Sequence, residues 1–214
     1  MTNPPPHNPT ARPTAPVYAL TEKGPAGREA LEVYLHVEAV QDILAAVPSG
    51  ARYETGGLLA GVAAQDERGP YVLILRALSA PSAHSERLSL TFTPEAWEEL
   101  WAAHERECPD LKIVGWYHTH PGLGVFLSEP DQFIHRHFFS DPGQIALVFD
   151  PADFRWGVFY WVEGGLRAAE GLYLYSEAAR SYPQLEDSLH EIAPEWIILH
   201  GPEGPKEPNH GPTD

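Results

Sequence analysis

His118-Thr119-His120 is followed, after seven residues, by Ser128-Glu129-Pro130-Asp131. Two imidazoles and a carboxylate are ligands that a zinc ion accepts. Three protein ligands leave a fourth position open for water, the arrangement of a hydrolytic site rather than a closed structural one. The spacing has a local explanation. Lys112-Ile113-Val114-Gly115-Trp116-Tyr117 reads as a buried strand running into His118. Strand side chains alternate faces, so His118 and His120 can point to the same side and share one ion. Pro121-Gly122 ends the strand, and Ser128 to Asp131 open a helix from whose start Asp131 can return to the metal.

Ser128-x-x-Asp131 ahead of Gln132-Phe133-Ile134 also fits a capping box, in which the Ser caps the helix and the acidic residue answers it. The two roles are compatible, since a Ser and an Asp at a helix start can cap and still face a metal. The joint pattern carries the metal reading, because an isolated His-x-His pair is commonplace.

His118, His120, Ser128 and Asp131 match in type and spacing the motif of the JAB/MPN metalloproteases, the JAMM family, which this chain resembles in its prokaryotic-type, single-domain form. The resemblance extends to Tyr53-Glu54-Thr55-Gly56-Gly57-Leu58-Leu59-Ala60-Gly61, similar to the family's upstream Glu-bearing strand, and it covers about Leu31 to Tyr175. It implies the MPN fold, which is cytidine-deaminase-like. It also implies one Zn2+ held by His118, His120 and Asp131, with Glu54 as general base on a zinc-bound water. Ser128 would hydrogen-bond the oxyanion or that water. On the residues alone Glu129 competes for the base role, although its place beside Pro130 suits a helix start.

The implied activity is a zinc-dependent peptidase or isopeptidase, a deubiquitinase-like hydrolase. It would cut after the C-terminal glycine of a ubiquitin-like or sulfur-carrier protein with a Gly-Gly tail. Two alternatives stand beside it: an amidase of the same fold acting on a small peptide or metabolite, and a non-catalytic MPN scaffold. A tail would bind extended, and Ser85 to Thr93, with alternating Leu88, Leu90 and Phe92, is a candidate strand edge for it to pair with.

Composition fits one enzyme domain. The chain has 214 residues, 43% of them hydrophobic, with six Trp and nine Tyr to fill a core. Its net charge of −16 repels phosphate backbones and anionic membranes, so the reading has neither nucleic acid nor membrane as a partner. No apolar run is long enough to span a bilayer, and the N-terminus lacks a signal-peptide core. Cys108 is the sole cysteine, excluding an intrachain disulfide and pointing to a reducing, cytoplasmic setting. Cys108 reads as structural. Nothing in the residues specifies an oligomeric state.

The chain divides into a Pro-rich segment over 1–27, the metalloprotease domain over 28–180, and an extension over 181–214. Residues 1–25 hold seven prolines and no hydrophobic period, so the first segment is expected to be disordered. The extension is expected to be partly disordered, although Glu195-Trp196-Ile197-Ile198-Leu199 could dock on the domain or bind a partner. Between these ends the patterning predicts strands over Leu31–His36, Gly56–Ala64, Tyr71–Ser79, Gln144–Asp150, Arg155–Glu163 and Leu166–Tyr175. Helices are expected over Val37–Val47, from Thr93-Pro94 to about Glu107, and from about Pro130 to Phe139. Strands interrupted by three helices make an α/β domain with a mixed β-sheet flanked by helices. His135-Arg136-His137 falls inside the third helix, where residues two apart diverge, so this second His-x-His is structural. His36, His84 and His104 read the same way.

Overall fold

A computed structural model describes residues 11–13, 17–19, 30–48, 50–80, 84–86, 89–169 and 171–176. Strand β1 (Val17–Ala19) is followed by β2 (Glu32–His36), helix α1 (Val37–Ala46), β3 (Gly56–Asp66) and β4 (Gly69–Ser79). Then come β5 (His84–Glu86), β6 (Ser89–Thr91), α2 (Pro94–Glu107) and β7 (Lys112–Thr119). The chain continues through α3 (Glu129–Phe138), β8 (Ile145–Asp150), β9 (Arg155–Val162), β10 (Gly165–Ala168) and β11 (Gly171–Tyr175). Nine strands form one sheet in the order β1-β11-β2-β4-β3-β7-β8-β9-β10. The pairs β11/β2, β2/β4 and β7/β8 are parallel and the others antiparallel, so the sheet is mixed as expected.

Alternation along the central strands divides the core in two. On one face Leu35, Leu59, Ile74, Tyr117 and Leu147 pack with Ala39, Val40 and Ile43 of α1. On the other face Leu58, Ala60, Trp116, Ala146 and Val148 pack with Ala96 and Leu100 of α2 and with Phe139. Since Trp116 lies on the α2 side, period two sends His118 and His120 to that side as well. β7 and β8 approach so closely at Gly115 that a Cβ there would lie 2.1 Å from the Ile145 carbonyl oxygen. Only glycine fits that position.

Caps place the helices where the sequence predicts them. Thr93 accepts from Ala96 N–H at the start of α2, with Pro94 in the first turn. Ser128 and Asp131 complete a reciprocal capping box at the start of α3. Cys108 is buried just past α2.

Three expectations are corrected. Residues 1–27 are not uniformly disordered. Val17–Ala19 pair antiparallel with Tyr173–Tyr175 as β1, and the Arg12 side chain is buried. The physical reason is electrostatic rather than hydrophobic. The Arg12 guanidinium donates twice to Asp66 at 2.8 Å and once to the Gly69 carbonyl oxygen at 2.8 Å, pairs with Glu32, and lies 4.4 Å over the Tyr71 ring. A search for apolar period does not see such an anchor. Second, Leu166–Tyr175 is two strands: β10 pairs with β9, whereas β11 crosses to the far side of the sheet and pairs with β2. Third, Ser85–Thr93 is not one strand but a hairpin, β5 paired to β6 in a separate two-stranded sheet. Leu90 is buried against the α2-side core, so that part of the run spends its apolar surface internally. Leu88, the extension over 181–214 and its Glu195–Leu199 run lie outside the described residues.

Candidate metal centre

His118, His120 and Asp131 converge at the end of β7 and the start of α3, all three buried. The Nε2 atoms of His118 and His120 lie 3.0 Å apart, and Asp131 Oδ2 lies 3.4 Å from His118 Nε2 and 3.7 Å from His120 Nε2. A tetrahedral zinc with bonds of 2.0–2.1 Å needs ligand atoms about 3.3 Å apart, so the three separations fit one ion.

The donor chemistry agrees with the distances. His120 Nδ1 stands 3.0 Å from the Gly124 carbonyl oxygen. A carbonyl only accepts, so Nδ1 carries the proton and Nε2 presents a bare lone pair. His118 Nε2, 3.0 Å away, can then either donate to that lone pair or share a cation with it. Asp131 is held by its own helix start. Its Oδ2 accepts from Ser128 N–H at 2.7 Å and from Ser128 Oγ–H at 2.5 Å. The capping bonds and the position beside the two imidazoles therefore coexist in one carboxylate.

Glu54 reaches the cluster from the segment ahead of β3, with Oε1 3.6 Å from His120 Nε2. Thr55 and Thr119 lash that segment to β7: Thr55 N–H donates to Thr119 Oγ1 at 2.9 Å, and Thr119 N–H donates to the Thr55 carbonyl oxygen at 2.8 Å. Gly56 is in register with His118. Glu54 Oε2 is buried with no hydrogen-bond partner among the described residues, and neither has His118 Nδ1. Glu129, its competitor on sequence grounds, is exposed on the first turn of α3.

Electrostatics follow from burial and crowding. Desolvation pushes the Glu54 carboxyl up to about 7; Asp131 adds to the rise, while His120 and the Leu90 backbone N–H oppose it. Burial alone would raise Asp131, but hydrogen bonds with His118, His120 and Ser128 hold it far below the usual carboxylate range. Burial lowers His118. It also works against protonation of His120, but Asp131 and Glu54 outweigh it and raise that group. Only one of the two imidazoles thus readily takes a proton.

Aromatic rings close the site. Trp116 stacks on His118 at 4.7 Å and 13°, and Phe126, half exposed, lies 4.7 Å from the His120 ring. Of the second His-x-His, His135 is buried and accepts from Trp116 Nε1–H at 3.4 Å, while His137 is exposed. They do not share a site. His104 Nε2 meets the Leu111 carbonyl oxygen, and His36 caps α1. The His84 side chain lies outside the described residues.

Sequence reasoning missed two contributors. The Leu90 N–H that meets Glu54 is a backbone group, invisible to residue type. Asp150 ends β8 and is buried; an acidic residue closing an apolar run ahead of Pro151 was the available signal.

The profile of the JAB1/Mov34/MPN/PAD-1 ubiquitin protease family matches residues 28–141. COP9 signalosome complex subunit 5 of Eremothecium gossypii is 33% identical over 117 residues, covering 53% of this chain and 26% of that protein. The 26S proteasome regulatory subunit RPN11 of the same organism is 44% identical over 43 residues, 20% of this chain and 14% of that one. NAD(+) hydrolase TcpA of Theionarchaea archaeon is 39% identical over 74 residues, 34% of this chain and 22% of the relative. The aligned regions thus span no more than 26% of these relatives' length. The solution structure of protein DSY2949 from Desulfitobacterium hafniense superposes with a TM-score of 0.50 at 20% identity, covering 68% of this chain and 94% of that one. That likeness is one of fold.

Proposed function

The chain belongs to the JAB1/Mov34/MPN/PAD-1 family, and from that premise we propose that it is a zinc-dependent peptidase or isopeptidase acting after the C-terminal glycine of a ubiquitin-like or sulfur-carrier protein. The observation that carries this reading is the convergence of three metal-type ligand atoms with one buried carboxylate oxygen beside them that has no partner among the described residues. A zinc ion, when bound, supplies a Lewis acid that polarises a carbonyl and makes a water acidic near neutral pH. The remaining steps belong to the chain. Glu54 accepts the water's proton at its free oxygen and passes it to the leaving amine nitrogen. Burial makes that carboxylate a better proton acceptor than an exposed one, which suits it to take the water's proton. Ser128, half-buried at the rim, holds Asp131 in place, and its single hydroxyl proton would reach the developing oxyanion by turning away from Asp131.

The tail of a carrier protein would bind extended, and terminal glycines let its backbone approach the cluster where larger side chains would clash. The β5–β6 hairpin offers a strand edge for such a tail. It has only two strands, and Leu90 within it already bonds Glu54 through its backbone. A scaffold that only binds partners has no need of this donor set. Among the described residues no helix is long and apolar enough to cross a membrane.

The test has two parts. The purified protein is expected to carry close to one zinc per chain, and His118→Ala combined with His120→Ala is expected to lose it in elemental analysis. Carrier fusions ending in Gly-Gly are expected to be cut far faster than matched Ala-Ala fusions. Equal rates, or hydrolysis of small amides alone, would transfer the assignment to an amidase of the same fold.

A further inference from the structure

Asp150 is a buried carboxylate, 1% exposed, that the proposed chemistry does not use. It lies where β8 runs parallel to β7, one step beyond the pair Thr119/Phe149, and the His120 N–H donates to the Phe149 carbonyl oxygen at 2.8 Å. Its Oδ1 accepts from Gly122 N–H at 2.8 Å and Ala152 N–H at 3.0 Å, and its Oδ2 accepts from Gly124 N–H at 2.7 Å. The Ala152 contact is a local turn of the kind Asp often makes. The other two cross 28 and 26 residues of sequence to the loop that follows His120.

At Gly122 and Gly124 the loop has few other ties, whereas Val125 and Leu127 further along pack on the α2-side core. Gly122 and Gly124 adopt φ of +72° and +87°, conformations available to glycine at small cost, so the chain there is permissive. Its own backbone supplies one bond among the described residues, Leu123 N–H to the His120 carbonyl oxygen at 3.1 Å. Yet the loop performs a specific task. The Gly124 carbonyl oxygen receives the Nδ1 proton of His120 and thereby leaves Nε2 bare toward His118 and Asp131. Burying a charge costs stability unless several donors answer it. Here three amides do, two of them in this loop, and the exposed Arg155 guanidinium lies 4.0 Å from Oδ2.

We infer that Asp150 is a positioning residue for the metal centre: it pins the loop so that Gly124 selects the tautomer and ring orientation of His120. The inference rests on the zinc reading above, but its test separates the two. Zinc affinity is measured by chelator competition on wild type, Asp150→Asn and Asp150→Ala. The His120 ring nitrogens of each metal-free protein are followed by 15N NMR, and folding by circular dichroism. Asparagine keeps one acceptor oxygen and turns an NH2 group toward the loop amides; alanine keeps no acceptor. Zinc binding is expected to weaken about tenfold in the first variant and up to about a hundredfold in the second. At a pH high enough to keep His120 neutral, its metal-free signal is expected to pass from one Nδ1–H tautomer to a mixture. If the alanine variant does not fold, the asparagine variant carries the test. A lowered melting temperature with unchanged zinc affinity and an unchanged tautomer would overturn the inference, since that is what a purely structural tie would give. Weaker zinc with the tautomer intact would overturn the route through Gly124. A wild type that takes no zinc would sink the functional reading, while the metal-free tautomer comparison would still decide the role of Asp150.

Discussion

The two ends of β3 each carry a buried polar cluster, and the clusters treat their valences oppositely. At the Asp66 end, Arg12 meets Glu32, Asp66, the Gly69 carbonyl oxygen and two tyrosine rings, while Glu32 also accepts from Tyr34 and Arg68. Charge is matched, and the guanidinium is held by a bidentate fork. At the Gly56 end, Glu54, Asp131 and the two histidines crowd together with two ring nitrogens face to face and two polar atoms unpartnered among the described residues. A closed cluster spends its interactions on holding the chain. An open cluster withholds them for something that is not part of the chain. The difference predicts that substitutions at one end cost stability and at the other cost chemistry.

The largest effect is expected from Glu54→Gln. The amide keeps the shape and removes the proton acceptor, so turnover of a Gly-Gly fusion should fall by about 10²–10⁴ or more. Thermal stability should hold or rise, because a crowded carboxylate has been neutralised. Loss of folding together with loss of turnover would erase the contrast between the two ends.

Arg12→Ala should do the reverse. It leaves Glu32 buried without its main partner, and breaking a buried pair costs about 3–5 kcal/mol. Urea unfolding should show that loss, while turnover per folded molecule stays near wild type. A stability change within experimental error would mean that the N-terminal segment is not anchored.

His135 tests a buried group that belongs to neither cluster. Burial pushes it down from 6.5 to about 4. Above 6.5 neither state holds the proton. Between 6.5 and 4 the unfolded chain binds it and the folded chain does not, so acidification through that window removes stability, about 3 kcal/mol in all. Unfolding midpoints followed from pH 7 to 4 should fall less steeply in His135→Gln, and parallel slopes would assign the acid sensitivity elsewhere.

Ser128→Ala is expected to give the smallest change. It removes the helix cap, worth about 1 kcal/mol, and one donor to Asp131. Turnover should drop by about tenfold or more, chiefly in kcat. An unaltered kcat would leave the residue with its capping role alone.

Much of this was legible along the chain, because its causes are local. The alternation of β7, the cap at Thr93, the box from Ser128 to Asp131 and the seven-residue spacing depend on neighbours a few positions apart. Local sterics and hydrogen bonds decide such features wherever the chain goes. Ser128 could be read as a cap or as a site residue because the same backbone geometry serves both.

Other features needed distant partners. Glu54 is told apart from Glu129 only once β3 lies beside β7 and places one carboxylate 3.6 Å from His120 while the other faces solvent. Arg12 fell within a segment read as disordered because its partners, Glu32 and Asp66, lie 20 and 54 residues away on separate strands. β10 and β11 read as one strand because propensity says nothing of which side of a sheet a strand will join. Asp150 looked like a strand end until β8 settled parallel to β7. By itself the sequence determined the types of the clustered residues, their spacing and the elements that carry them, since those follow from short-range geometry. Only the tertiary structure decided which carboxylate stands at the cluster and which residues hold it there. Such contacts form between atoms that the chain brings together only by packing its sheet.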